Sequence, residues 1–179
     1  MADINLNAIT SHSASADARQ KDAPAFELIE LLFFAYRDFV GDADEILAKF
    51  GFGRAHHRVL HFINRNPGMK VAELLDILKI TKQSLGRVLK QLIDEGYVEQ
   101  KEGAKDRRQR LLFVTQKGEA LALRLAALQT ARIGRALAEF GAADRDAVRR
   151  FLVAMLDPDQ RGDVLGLIDG ADRSRRRRP

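Results

Sequence analysis

Between Val71 and Thr115 the spacing of apolar residues changes period, and each change marks an element. In Val71–Leu78 (VAELLDIL), Leu74, Leu75 and Leu78 line one side of a short helix, and only Lys79-Ile80 is left for a turn. Thr81 has the hydroxyl of a good N-cap, and Leu85, Val88, Leu89 and Leu92 follow at i, i+3, i+4 and i+7. Gly96 then stands where a left-handed C′ residue is wanted. The opposite face of this second helix carries Gln83, Arg87, Lys90 and Asp94, with Lys82 beside them at its start. Two helices joined by so short a turn predict a helix-turn-helix.

The period then shortens. Tyr97-Val98 opens an extended segment and Leu111–Val114 is a run of strand formers. Between them QKEGAKDRRQR is polar, with Gly103 as its turn residue. It holds five cations (Lys101, Lys105, Arg107, Arg108, Arg110) against two acids (Glu102, Asp106). A helix-turn-helix followed by a hairpin with a basic tip is a winged helix, an arrangement suited to double-stranded DNA.

On either side the pattern is helical. From Ala25 to Val40 the residues Leu28, Ile29, Leu31, Leu32, Phe33, Phe34, Tyr36, Phe39 and Val40 cover more than one face. A second subunit is the economical way to cover the excess. Gly41 is expected to close that helix, with a short one over Ala43–Phe50 before the turn Gly51–Gly53. Arg54–Arg65 reads as a helix with Val59, Leu60 and Ile63 inward, ended by Pro67-Gly68. Gln116–Phe140 reads as a long helix and Gly141 as its break. Asp144 is expected to cap a helix bearing Val148, Phe151, Leu152 and Met155, which Asp157-Pro158 ends. One further turn is expected over Asp163–Ile168, followed by a basic tail from Arg173 to Arg178. Residues 1–24 have no sustained periodicity and read as a flexible arm.

Composition narrows the classes. A length of 179 residues suits one domain with a real core, and 46% hydrophobic with 31% charged residues describes a globular chain. No run of 18 apolar residues is present, so no membrane contact is expected, and no export signal is expected at the N-terminus. Without cysteine there are no disulfides and no thiolate metal sites. The net charge of +5 favours a polyanionic partner, although the C-terminal arginines supply much of it.

Two local features leave alternatives open. His57 and His61 lie at i, i+4, a spacing that could share a metal ion, but no cysteine or clear carboxylate accompanies them. They are either packed boundary histidines or the lining of an effector pocket; no metal or cofactor is assigned. Gly86 inside the second motif helix costs roughly 1 kcal/mol relative to alanine. It reads as a close approach to DNA or a neighbouring helix, or as a tolerated weakness.

The chain resembles the MarR family of transcriptional regulators. The family's wing pattern stands here as Asp106-Arg107-Arg108, Leu111–Val114, Thr115 and Lys117-Gly118, and its recognition-helix ending as Leu92–Val98. The resemblance covers about Phe26 to Leu156. Lys79 stands where the family usually has glycine, and Gly86 where it often has threonine.

The resemblance implies a mainly α fold with a small β-hairpin wing: a winged helix-turn-helix flanked by N- and C-terminal dimerisation helices. The expected divisions are the arm at 1–24, the N-terminal dimerisation helix and connector at 25–53, and the DNA-binding region at 54–115. The C-terminal dimerisation helices follow at 116–157, then an extension with the arginine tail at 158–179. Gln83 and Arg87 are expected on bases and Lys82, Ser84 and Lys90 on phosphates, with the cap residue Thr81 also counted among the DNA-binding residues. Lys105 and Arg107 belong to the basic wing, where Arg108 resembles the family's minor-groove arginine, oriented by Asp106. In the resembling family small aromatic or amphipathic anions bind between the dimer helices and the winged helix. Tyr36, Arg37, His57, His61 and Phe62 are the residues this chain offers for that task.

The expected function is a homodimeric, cytoplasmic regulator, nucleoid-associated when bound, that represses at a pseudo-palindromic operator and is released by an effector. An architectural, nonspecific nucleic-acid binder is the alternative. An enzyme is not expected: the chain has no phosphate-cradling glycine loop, no nucleophile elbow and no paired-histidine zinc motif.

Overall fold

The computed structural model describes residues 24–103 and 109–176. In chain order these form α1 (Phe26–Ala48), α2 (Arg54–Arg65), β1 (Met69–Lys70), α3 (Val71–Leu78), α4 (Lys82–Asp94), β2 (Val98–Glu102), β3 (Arg110–Val114), α5 (Gln116–Ala138), α6 (Ala142–Ala154) and α7 (Pro158–Arg176). The chain forms two compact units, the first ending at Asp38 and the second beginning at Phe39.

The described part of the first unit is the opening of α1. Phe26, Leu28, Ile29, Leu31, Leu32, Phe33, Phe34 and Tyr36 are all exposed there, Phe26 and Phe33 at 64%. Phe33 and Phe34 meet edge to face at 5.4 Å. Apolar side chains on all sides of one helix are stable only when something covers them.

Within the second unit the core is built from Leu47, Val59, Leu60, Ile63, Leu74, Leu85, Leu92 and Leu112, each buried almost completely. Gly41 does not close α1, which continues to Ala48. Val40, Ala43 and Leu47 form a buried stripe at i, i+3 and i+7. A helical glycine costs about 1 kcal/mol. Burying a leucine contributes about 1.5–3 kcal/mol, so the stripe carries the helix through.

The helix-turn-helix forms as its apolar spacing predicts. Thr81 Oγ1 accepts the Ser84 N–H at 3.1 Å, and Gly96 takes a positive φ of 73°. Lys79 closes the turn in the left-handed region at φ 50°, the conformation that glycine would adopt without strain. The wing is wider than a hairpin. A two-residue strand, β1, adds to its edge, giving an antiparallel sheet in the order β1-β3-β2, with Met69 opposite Leu112 and Val98 opposite Val114. Two residues carry no readable periodicity, so β1 is set by pairing alone.

Three corrections fall in the C-terminal region. Gly141, not Asp144, is the N-cap of α6, and its carbonyl accepts from Asp144 N–H and Arg145 N–H. Asp157-Pro158 starts a helix as well as ending one: Asp157 Oδ1 accepts the Asp159 N–H at 3.1 Å, with proline at the first helical position. The expected turn at Asp163–Ile168 is part of that 19-residue helix, α7. It is fastened to α2 by Arg65 Nη2 on Asp172 Oδ1 at 2.6 Å, and the neighbouring Ala171 is buried.

Among the glycines, the approach at Gly118, at the start of α5, leaves no room for a side chain. A Cβ placed on Gly118 would stand 2.0 Å from the Tyr97 carbonyl oxygen. Around it Thr115 Oγ1 donates to the Gly96 carbonyl at 2.7 Å and accepts the Gly118 N–H at 3.1 Å. Lys117 Nζ donates to the Glu95 carbonyl at 2.8 Å and lies 4.0 Å from the Tyr97 ring centre. We predict that Gly118→Ala destabilises the fold by about 2–3 kcal/mol, since backbone must move to admit the methyl group. Chemical denaturation of parent and variant measures it, and an unchanged midpoint would contradict the assigned contact.

Candidate nucleic-acid interface

The periodicity that buries Leu85, Leu89 and Leu92 necessarily turns the other side of α4 outward. Lys82, Gln83 and Arg87 are exposed there, and neither Lys82 nor Arg87 has an ion-pair partner among the described residues. Gln83 and Arg87 are one turn apart and share a face. Lys90 is also exposed, but its ammonium is shared with Asp94 one turn on. Thr81 is occupied as the helix cap. Its hydroxyl donates to Ser84 Oγ at 2.9 Å, which leaves the Ser84 hydroxyl proton available to an incoming acceptor.

Gly86 lies on this face, and a Cβ there would meet nothing within 4 Å. A close approach to a neighbouring helix is therefore not its purpose. With Lys82, Lys90, Val71 and Gln100 it lines a notch of about 380 Å³ between α4, the start of α3 and β2. Removing the side chain at this position deepens the surface where two lysines flank it.

On the wing strands the cations are largely matched. Lys101 pairs with Glu99 at 2.7 Å and Arg110 with Glu102 at 2.9 Å. The remaining wing candidates, Lys105, Asp106, Arg107 and Arg108, lie outside the described residues.

The helix α4 also makes a contact that helical spacing did not reveal. His56 Nδ1 accepts the Gly53 N–H at 3.1 Å, so the other ring nitrogen carries the proton and donates to Gln91 Oε1 at 2.9 Å. Gln91 Nε2 then donates to Glu95 Oε1 at 2.9 Å. The ring is stacked on Phe52 at 4.7 Å. A histidine at the start of α2 is thereby tied to the recognition helix 35 residues away.

The other candidate residues are dispersed. Arg37 pairs with Asp38 at 2.9 Å and lies 4.8 Å over the Phe34 ring, while Tyr36 is 53% exposed. His57 is buried at 8% exposure. His61 and Phe62 line a cleft of about 1030 Å³ with Arg65, Met69, Ile77 and Leu167; His57 does not line it. Among the described residues no group of three His, Cys, Asp or Glu side chains is arranged to hold a metal. No helix among them is long and apolar enough to cross a membrane.

Burial lowers the pKa of His57 below its ordinary 6.5, with Asp44 opposing the shift. Burial also lowers that of His61, helped by the neighbouring His57 and the Arg65 guanidinium. Both imidazoles are thus neutral in the folded chain at neutral pH. Below 6.5 the unfolded chain takes up protons that the folded chain does not, so stability is intact above that value and lost as pH falls through it. The thermal midpoint should therefore drop on acidification from pH 7, with a shallower drop in His61→Gln; equal slopes in the two proteins would contradict this.

Comparisons with known proteins agree with this geometry. The profile of the MarR family matches residues 50–109. Over 133 residues, 74% of this chain and 80% of the relative, the sequence is 47% identical to HTH-type transcriptional regulator PetP of Rhodobacter capsulatus. A MarR family transcriptional regulator of Listeria monocytogenes, solved with a 26mer DNA, superposes with a TM-score of 0.64 at 22% identity, covering 79% of this chain and 94% of that one. At that identity the likeness is one of fold. A MarR family protein of Mycobacterium tuberculosis, solved with salicylic acid, is 28% identical with a TM-score of 0.54, covering 75% of this chain and 98% of that one.

Proposed function

Because the chain belongs to the MarR family of transcriptional regulators, which are DNA-binding proteins and not enzymes, we propose that it acts as a homodimeric repressor at a pseudo-palindromic operator. The observation that carries this reading is the outward face of α4, where Gln83 and Arg87 are exposed and Arg87 has no ion-pair partner among the described residues. In this reading they contact base edges in the major groove, while Lys82, Ser84 and Lys90 contact phosphates and the Thr81 cap holds the helix start. Lys105 and Arg107 join the wing's phosphate contacts, and Arg108 enters the minor groove with Asp106 to orient it.

Dimerisation is supported by the exposed apolar side chains of α1, together with Ile133 and Phe140 near the end of α5 and Phe151, Leu152 and Met155 near the end of α6. A second copy covers such surfaces and sets the two recognition helices about 34–36 Å apart, one turn of DNA. Sedimentation at micromolar concentration should give a dimer, and a stable monomer would remove this part of the proposal.

Arg87→Ala should lose about 1–3 kcal/mol on the operator with little change on random duplex, as expected when a guanine contact is removed. Equal loss on both would make Arg87 a phosphate contact. Binding that random DNA competes away as readily as operator would favour an architectural protein instead. Mapped binding sites, read with transcripts from a deletion strain, test the sign: target transcripts should rise, and a fall would indicate activation. This reading carries a cytoplasmic, nucleoid-associated location.

The proposal extends to a small aromatic acid as effector, supported by the salicylic acid held by the Mycobacterium tuberculosis protein. Tyr36, Arg37, His57, His61 and Phe62 are the residues this reading offers to it, Arg37 for the carboxylate and the neutral imidazoles as N–H donors. The effector releases DNA only by binding the two states unequally. Salicylate should raise the thermal midpoint of the parent more than that of Arg37→Ala or His57→Ala; equal stabilisation of all three would put the pocket elsewhere.

A further inference from the structure

Gly86 stands in the interior of α4, the fifth residue of a helix of thirteen. A glycine there weakens the helix relative to alanine. Nothing within the described chain accounts for it. A Cβ built on Gly86 meets no atom within 4 Å, and its φ is not among the positive ones. An alanine would fit and would hold the helix better. What a side chain at this position would obstruct therefore lies outside the protomer, on the surface that Gly86 faces.

That surface is the notch between α4, Val71 at the start of α3 and Gln100 on β2. Leu89 is buried and Val71 and Ile93 are half-buried, so its deeper part is apolar. Lys82, Lys90, Asp94 and Gln100 are exposed and form its rim. Lys82, Gly86 and Lys90 follow at i, i+4 and i+8, so the bare Cα lies about 6 Å along the axis from that of each lysine. The Lys90 ammonium is shared with Asp94, whereas Lys82 has no ion-pair partner among the described residues. An anion in the notch is best met at the Lys82 end.

The notch lies on a flank of α4. At about 100° per residue, Gly86 is turned about 80° from the direction midway between Gln83 and Arg87. A helix with its side chains is about 10–12 Å across, and the major groove is about 12 Å wide. When the outward side chains meet base edges, the flanks of α4 meet the groove walls, which are sugar and phosphate. A deoxyribose with its phosphate matches both parts of the notch, offering a C–H face to the apolar part and an anion to Lys82. A thymine methyl would leave the lysine idle, and a free phosphate would leave the apolar part idle.

We propose that Gly86 is a clearance position for the DNA backbone: a deoxyribose seats over its bare Cα in the notch, and the adjoining phosphate lies on Lys82. This rests on the DNA-binding reading above and adds to it what sets the depth of α4 in the groove. The helix gives up some stability at Gly86, and the groove wall comes closer.

The test uses the full chain and the duplex that it retains most tightly from a random-sequence pool. Binding is followed by fluorescence anisotropy and stability by thermal unfolding. Gly86→Ala and Gly86→Leu should raise the thermal midpoint or leave it unchanged, since both are better helix formers and the position is open. Both should weaken binding, Gly86→Ala at least about fivefold and Gly86→Leu further, as overfilling a close contact does. Combined with Lys82→Gln, Gly86→Ala should lose less than the sum of the two single losses in log affinity, because both act on one phosphate. The variants should sediment as the parent does. Parental affinity in both glycine variants would overturn the proposal and make Gly86 a tolerated weakness, leaving the DNA-binding reading intact. So would a lowered midpoint in both, which would give Gly86 a role in folding, or a changed sedimentation, which would put a subunit contact there. A Gly86→Ala protein that selects a different base pair at one position would put a base in the notch, and overturn it too. A parent that retains no duplex would overturn both readings.

Discussion

The start of α5 lies so close to the strand entering the wing that only a residue without a side chain fits, because the Tyr97 carbonyl occupies the place of a Gly118 Cβ. Much of the DNA-facing architecture depends on this contact. Tyr97 follows the left-handed Gly96 that ends the recognition helix, and Thr115 and Lys117 bind the carbonyls of Gly96 and Glu95. The last carbonyls of α4, at Gln91, Leu92 and Ile93, are met by the N–H groups of Glu95, Tyr97 and Gly96, and those just past the helix end, at Glu95 and Gly96, by the first turn of α5. A shift of α5 would therefore be felt at the end of α4 through hydrogen bonds and not through loose packing. In this family pattern the consecutive Lys117 and Gly118 have separate physical tasks, one as donor and one as clearance.

The other end of the recognition helix is held by different means. Thr81 caps it locally, and the turn before it is closed by Lys79 in a left-handed conformation that costs about 1–2 kcal/mol for a residue with a Cβ. Packing repays that strain, because the turn leaves Leu74 and Leu78 on one side and Leu85 on the other within a single core. In the last turn of the helix, Gln91 is bound by His56 from α2. The helix thus has polar fastenings near both ends, while its apolar stripe fixes its rotation. On its outward side Lys82 and Arg87 have no ion-pair partner among the described residues, the condition under which they are available to a ligand.

Charge and apolar surface are distributed unevenly along the chain. The apolar excess lies in the opening of α1 and near the ends of α5 and α6, and the cationic excess lies beyond Asp172. Between them the winged helix has a well-filled core and a surface on which most wing-strand cations are paired. The exposed apolar side chains and the buried core of the winged helix are thus separate sets of residues.

What the sequence determined by itself is whatever depends on neighbours along the chain. Helical spacing of Leu85, Val88, Leu89 and Leu92, the Thr81 cap and Gly96 defined α4 and which of its side chains face outward. The strand formers at Leu111–Val114 and the basic tip defined the wing and, with the motif helices, the fold class. Tertiary structure decided what depends on residues far apart. Gly41 is a plausible stop until Leu47 is seen to be buried, and two-residue β1 exists only because β3 is there to pair with it. The length of α7 follows from its seat on α2, and the tie between His56 and Gln91 joins residues whose separation in sequence says nothing about their contact. Local propensity amounts to tenths of a kcal/mol per residue, up to about 1 for glycine. Burial of one side chain contributes more, so local signals hold wherever packing agrees with them and yield wherever it does not.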